Sequence, residues 1–196
     1  MPKLPVWFKK FESKKDAIKN LNSKLGKIPN CICQEARCPN RAECFEKGQL
    51  TFLILGTICT RNCGYCNVAS GKPLLVDTLE TEEILRAIEK LKLKFVVLTS
   101  PTRDDLSDGG ASHYAYVVNE IKAKFPKVIV EVLIPDFNGD WESAKTVLAS
   151  DLQVFNHNLE VVPSLFSKVR TQADFRSSLN ILKRAKKEYP KIFLIK

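Results

Sequence analysis

From residue 51 onward, short runs of apolar and β-branched residues alternate with stretches that carry an apolar stripe at helical spacing, and this alternation limits what the chain can fold into. The strand-like runs lie at 51–56, 95–100, 128–135, 152–156 and 192–195. Helical patterns fill the gaps at 81–91, 111–125, 141–149 and 174–189. Apolar strands separated by helices pair in parallel, because each crossover lays a helix over the sheet and buries a face of it. The expected class is therefore α/β, with the sheet either doubly wound or curled as a (β/α) barrel. In both architectures the C-terminal ends of the strands form the working face.

The unusual polar residues fall where that rule puts them. The first strand run leads to Cys59, and the second into Thr99, Ser100 and the segment from Arg103 to Gly110. The third leads into Asp136, and the fourth into Asn156, His157 and Asn158. Glu131 interrupts an otherwise apolar strand, where a carboxylate without a partner would be costly.

All seven cysteines lie between Cys31 and Cys66. Cys59, Cys63 and Cys66 form a Cys-x-x-x-Cys-x-x-Cys run, and Cys33, Cys38 and Cys44 form a second, wider set upstream. Three thiolates this close can face one cofactor from a single loop, whereas a tetrahedral zinc site or an ordinary four-cysteine cluster needs a fourth ligand. An iron-sulfur cube held by three cysteines keeps one iron open to a small molecule, which suits an enzyme better than a structural site. A structural zinc or redox site is the plainer alternative, disfavoured because no second Cys-x-x-Cys pair lies nearby. Cys31 fits neither run and reads as a bystander.

With 196 residues, 44% hydrophobic and 27% charged, the chain is long enough for one domain with a sizeable core. No apolar run approaches the roughly 20 residues of a membrane span. An odd cysteine count at ligand spacings predicts a reducing compartment, the cytoplasm, and the first residues show neither a signal nor a transit pattern. Residues 1–30 hold eight lysines against Glu12 and Asp16, which accounts for six of the net +9 charges. No RNA or DNA recognition motif accompanies this arm, so the expectation is no nucleic acid, and an acidic protein partner fits the charge as well as a solvated face does. Ser13, Asp16 and the stripe of Ile18, Leu21 and Leu25 predict a short helix over 13–25.

At these residues the chain resembles radical S-adenosylmethionine (SAM) enzymes, and more closely the lipoyl synthase family. The superfamily signature is similar to Cys59-Thr-Arg-Asn-Cys63-Gly-Tyr-Cys66, with Tyr65 before the last cysteine. The upstream Cys33, Cys38 and Cys44 resemble the auxiliary-cluster motif of lipoyl synthases. Further matches are Ile54 to Arg61, Arg103 to Gly110, Glu131 to Phe137 and Phe155 to Glu160, so the likeness runs from Pro5 onward.

The resemblance implies two [4Fe-4S] clusters, one binding SAM at Cys59, Cys63 and Cys66 and an auxiliary one at Cys33, Cys38 and Cys44. It implies reductive cleavage of SAM to a 5'-deoxyadenosyl radical and insertion of two sulfurs, drawn from the auxiliary cluster, into an octanoyl chain on a carrier-protein lysine. The implied partners are an octanoylated lipoyl carrier domain or glycine-cleavage carrier protein, and an electron donor such as flavodoxin or ferredoxin. Thr99, Ser100, Glu131, Asn156 and Asn158 are the candidate SAM contacts. For Glu131 a structural salt bridge is the alternative, and for the two asparagines, loop capping. Asp104, Asp105, Asp108 and the Gly109-Gly110 pair either make a turn that caps the next helix or present backbone N–H groups to SAM. His157 points away from Asn156 and reads as a packing residue.

Lipoyl synthases continue past the point where this chain stops, with a further barrel strand and a terminal serine that completes the auxiliary cluster. Arg176-Ser177-Ser178 is no substitute, because it lies in a helical pattern. The expected organisation is an N-terminal cysteine-rich extension over 1–50 and a partial (β/α) radical-SAM barrel over 51–196. Methylthiolation or another sulfur insertion, and a non-catalytic iron-sulfur-binding fragment, are the competing functions.

Overall fold

The computed structural model describes residues 31–32, 38, 40–170 and 172–195. The helix expected over 13–25, the lysine arm and Cys33 lie outside the described residues. The elements begin with helix α1 (Arg41–Glu46) and strand β1 (Gln49–Leu53), followed by two short strands, β2 (Ile58–Cys59) and β3 (Ala69–Ser70). Then come α2 (Glu80–Leu91), β4 (Phe95–Thr99), α3 (Ala111–Lys124), β5 (Ile129–Leu133), a single 3-10 turn (Phe137–Gly139), α4 (Trp141–Leu148) and β6 (Val154–Asn156). Helices α5 (Pro163–Val169) and α6 (Phe175–Glu188) precede the last described strand, β7 (Phe193–Ile195).

The main sheet has five strands in the order β1-β4-β5-β6-β7, every pair parallel. Strand order never reverses, so there is no switch point of the doubly wound kind and the sheet winds as a barrel segment. Of the two architectures that strand and helix alternation allows, the partial barrel is the one found.

Register divides the side chains into two faces. On one face Phe52, Leu98, Val132 and Phe155 line up across β1, β4, β5 and β6, all fully buried. They pack against Ile84 and Ile88 of α2, Val117, Val118 and Ile121 of α3, Val147 of α4 and Ile181 of α6. Each such side chain removed from water contributes about 1.5–3 kcal/mol before chain entropy is counted, so this layer between sheet and helices is the main source of stability. The opposite, inner face carries one row of Thr51, Val97, Glu131, Val154 and Phe193, and above it a row of Leu53, Thr99, Leu133, Asn156 and Ile195.

Side-chain caps fix the start of two helices. Asp140 accepts from the N–H groups of Glu142 and Ser143 ahead of α4, and Asp174 accepts from Ser177 N–H ahead of α6. Helix α2 differs from expectation: it begins at Glu80, and Thr81 is buried inside it instead of capping it. Helices α1 and α5 and the small β2-β3 pair were not legible as elements, because each is too short to show a periodic pattern. Helix α5 is opened by Pro163, whose missing N–H costs nothing in the first turn.

Candidate functional site

The approach to the cysteine loop is set by one unusual residue. Leu55, just past the end of β1, is buried and holds a left-handed backbone conformation at φ 66°. Its N–H donates to Glu80 Oε2 at 3.0 Å and its carbonyl accepts from Arg103 Nη1 at 2.8 Å. Both clamping side chains are only 2% exposed. Arg103 also grips both oxygens of Asp105, at 2.9 and 2.8 Å, and reaches the Leu74 carbonyl at 3.0 Å. Gly110, at φ 90°, lies where any Cβ would run into the Leu55 side chain, so a glycine is required on both counts.

After this turn the chain forms a closed loop. Ile58 and Cys59 pair with Ala69 and Ser70, Gly71 N–H donates to Cys59 O at 2.9 Å, and Ser70 Oγ donates to Arg61 O at 2.6 Å. Within the loop Cys66 N–H donates to Cys63 O at 3.1 Å. Two sulfurs accept backbone N–H groups: Cys59 Sγ from Arg61 at 3.3 Å and Cys66 Sγ from Val68 at 3.5 Å. Burial pushes the Cys63 thiol above its ordinary pKa; neighbouring Cys59 and Cys66 push the same way, and Arg170 and Arg61 oppose them.

No three His, Cys, Asp or Glu side chains among the described residues converge tightly enough for a single metal ion. Three thiols spread over one closed loop, with Cys66 exposed, two of them already receiving N–H groups, fit a larger iron-sulfur cube with three protein ligands.

Arg61 ties this loop to the two others at the same end of the sheet. It is 4% exposed, and its Nε and Nη2 meet both Asp104 oxygens at 2.8 Å. Nη1 meets the Asp136 carboxylate at 2.9 Å and Nη2 also donates to Asn138 Oδ1 at 2.6 Å. Burial disfavours its charge, but the bonds to Asp104 and Asp136 outweigh it and raise its pKa further. In return, the hydrogen bond from Arg61 holds the Asp104 carboxyl below the usual range. A third support comes from α5 and the segment before it: Gly64 N–H donates to Val169 O at 3.0 Å, and Tyr65 Oη donates to Glu160 Oε1, ahead of the helix, at 3.1 Å.

Below the loop, on the inner face, two of the expected SAM contacts meet each other. Asn156 Nδ2 donates to Glu131 Oε1 at 2.9 Å. The partner that Glu131 requires is therefore an amide, not the cation of a salt bridge. Asn156 Oδ1 is buried without a hydrogen-bond partner among the described residues, which leaves polar capacity on the inner face at the end of β6, whereas Ser100, one residue past Thr99, falls by alternation on the helix-covered side, toward Tyr114 of α3. Thr99 is committed elsewhere, its hydroxyl donating to Leu133 O at 3.1 Å. Asn158 lies beyond the end of β6, so it does not share a strand face with Asn156; its carbonyl accepts from Arg170 Nη1 at 2.5 Å.

His157 is fully buried with Nδ1 against the Ile134 carbonyl at 3.0 Å, in keeping with a packing role. Asp108 accepts from Gly110 N–H at 2.9 Å and Ser112 N–H at 2.8 Å, so it caps α3. Of the upstream cysteines, Cys38 is half-buried against the core and Cys44 lies half-buried in α1. Cys31 is 2% exposed and bridges Phe52 in the core. The sequence carried Arg61, Arg103, Asp136 and Asn138 inside or beside its motifs, but nothing in their spacing revealed that they form the framework.

Comparison with known proteins agrees with this geometry. Residues 53–195 match the family model of the Radical SAM superfamily. A lipoyl synthase from Caldicellulosiruptor saccharolyticus is 52% identical over 162 residues, covering 83% of this chain and 57% of that protein. One from Alkaliphilus metalliredigens is 46% identical, covering 89% and 61%, and one from Psychromonas ingrahamii is 45% identical, covering 97% and 60%. The chain thus spans about three-fifths of the length of these relatives. The crystal structure of methylornithine synthase superimposes with a TM-score of 0.57 at 13% identity, covering 97% of this chain and 51% of that one, a likeness of fold alone. The chain belongs to the radical SAM superfamily, and the relatives that its sequence matches there are lipoyl synthases.

Proposed function

We propose that this chain carries the SAM-cleaving part of a lipoyl synthase, which inserts two sulfurs into protein-bound octanoyl-lysine to form lipoyl-lysine. The observation that carries the reading is the closed loop of Cys59, Cys63 and Cys66 standing at the C-terminal end of a parallel barrel segment, above an inner face that presents Asn156 Oδ1 unpaired. Cys59, Cys63 and Cys66 would hold a [4Fe-4S] cluster, and Cys33, Cys38 and Cys44 an auxiliary one. When bound, the first cluster supplies the electron that cleaves SAM reductively.

The chain's own residues do the positioning. Arg61, Asp104, Asp136 and Asn138 lock three loops together, which holds the thiols in place without reorganisation. Asn156, oriented by Glu131, offers its carbonyl oxygen to a donor such as the SAM amino group. The apolar inner row of Leu53 and Leu133 restricts water at the strand ends. Octanoylated carrier domains, or the glycine-cleavage carrier protein, are the substrates this reading implies, with flavodoxin or ferredoxin as electron donor. Among the described residues no helix is long and apolar enough to cross a membrane, and the reading places the reaction in the cytoplasm.

The test is anaerobic reconstitution followed by assay for 5'-deoxyadenosine. Replacing Cys59, Cys63 and Cys66 together with Ala is expected to abolish reductive SAM cleavage; persistent product in that variant overturns the assignment. Product analysis with an octanoylated carrier then separates sulfur insertion from other radical-SAM chemistry.

A further inference from the structure

Helix α6 carries more positive charge than it answers. Its residues include Arg176, Lys183, Arg184, Lys186 and Lys187 against a single acid, Glu188, and that acid is taken by Arg184 at 3.1 Å. The helices before it pair surface cations with carboxylates: Lys47 with Glu43 in α1, Arg86 with Glu82 in α2, Lys124 of α3 with Glu89, and Lys145 with Glu142 in α4. Among the described residues Arg176, Lys183 and Lys187 form no ion pair, and Asp174, two residues before Arg176, turns its carboxylate to the Ser177 N–H. With Asn180 these three stand at i, i+4, i+7 and i+11, an exposed stripe about 16 Å long on the side opposite the buried Ser178, Ile181 and Ala185. A groove of about 470 Å³ opens against Arg176, Ser177, Leu179, Asn180 and Lys183.

The stripe starts at the working end of the sheet. Because α6 leads into the start of the parallel strand β7, its first turn lies level with the C-terminal strand ends. There Gly139 is so close to Ser177 that a Cβ on it would stand 3.3 Å from the hydroxyl oxygen, and the adjacent Asn138 accepts from Arg61 of the cysteine loop. We infer that this face of α6 is the docking surface for the octanoylated carrier domain, which meets it with carboxylate side chains. The inference rests on the proposed function, which requires a protein substrate at that end of the sheet. Charge selects the occupant. Residues 1–30 hold eight lysines against two acids and a second copy of the chain carries +9, so this face repels both. Leu179 gives the groove an apolar wall, and the stripe has no aromatic ring on which bases could stack, which favours a protein over a nucleic acid.

The experiment measures association of the reconstituted full chain with an octanoylated lipoyl carrier domain. Replacing Arg176, Lys183 and Lys187 together with Gln is expected to slow association about tenfold at low salt. The difference should vanish near 1 M salt, where charges are screened within about 3 Å. Carrier-free cleavage of SAM should stay unchanged, which shows that the fold is intact; should it fall, Lys183→Gln alone is measured in the same way. The control replaces three exposed lysines on other elements, Lys90, Lys127 and Lys168, with Gln, removing the same charge elsewhere. Equal slowing in the control overturns the inference, because net charge and not this face would then act. Unaltered association in the α6 variant overturns it too. So does displacement of the carrier by a random-sequence DNA duplex that the α6 variant no longer binds, or a dimer of the unsubstituted chain that the variant abolishes. Failure of the unsubstituted chain to bind the carrier at all overturns the proposed function and this inference with it, whereas binding that is indifferent to α6 overturns the inference alone.

Discussion

Arg61 grips both carboxylate oxygens of Asp104 at 2.8 Å, joining the first cysteine-bearing loop to a loop 43 residues further along the chain. The same guanidinium holds Asp136, so one side chain spans three strand-to-helix connections. The two acids are not equivalent. Asp136 is 2% exposed at its side chain and Asp104 28%, so removing Arg61 strands a buried charge at the first and a half-solvated one at the second.

Arg61→Ala is therefore expected to reduce unfolding free energy by about 3–5 kcal/mol, the cost of breaking a buried pair from one side. Asp104→Asn should cost less, because water can reach the remaining groups. Urea unfolding of both variants checks the order; an equal loss would mean that Asp136 is not the residue that depends on Arg61.

Acid should loosen this end of the sheet first. The Arg61 hydrogen bond holds Asp104 below the usual carboxylate range, and at Asp108 burial pushes the other way but is outweighed by the Ser112 hydroxyl and the Ser112 and Gly110 N–H groups, to the same effect. A lowered folded-state pKa gives stability that is full above the ordinary carboxylate value and lost as pH falls through the folded one. Stability measured from pH 6 down to 3 should decline, and Asp104→Asn should flatten the acid limb. A variant with the same acid slope as the unsubstituted chain would remove Asp104 from the account.

Gly110→Ala is expected to cost about 1–3 kcal/mol, from a positive φ and a methyl driven into Leu55. Leu55→Ala clears that space. Thermal unfolding of the double variant should show less loss than the sum of the two single ones, and strict additivity would show that the two residues do not compete for the same volume.

Asn156→Ala leaves the 8%-exposed Glu131 carboxylate without its amide, at a cost of about 1–3 kcal/mol in stability. If Asn156 Oδ1 receives SAM, affinity for SAM should fall about tenfold as well, the worth of one hydrogen bond. Calorimetric titration of the reconstituted chain reads this directly. Unchanged SAM affinity would restrict the Glu131–Asn156 pair to a structural role.

What the sequence determined by itself is local. Strand and helix periods placed all five main strands and four long helices to within a few residues, because burial against a sheet or a helix face imposes a repeat that short stretches display unaided. The close spacing of Cys59, Cys63 and Cys66 likewise made the loop legible, since three thiols carried by one turn need no distant residue to come together. The choice between a doubly wound sheet and a barrel segment was decided by strand order, a matter of how helices pack and not of any one segment. Tertiary structure alone paired Glu131 with Asn156, set α5 behind Gly64 and drew Asp104, Asp136 and Asn138 around Arg61. These partners lie 25 to 105 residues apart in the chain, and their meeting depends on register and helix placement, to which charge and hydrogen bonding adapt once the strands are laid side by side.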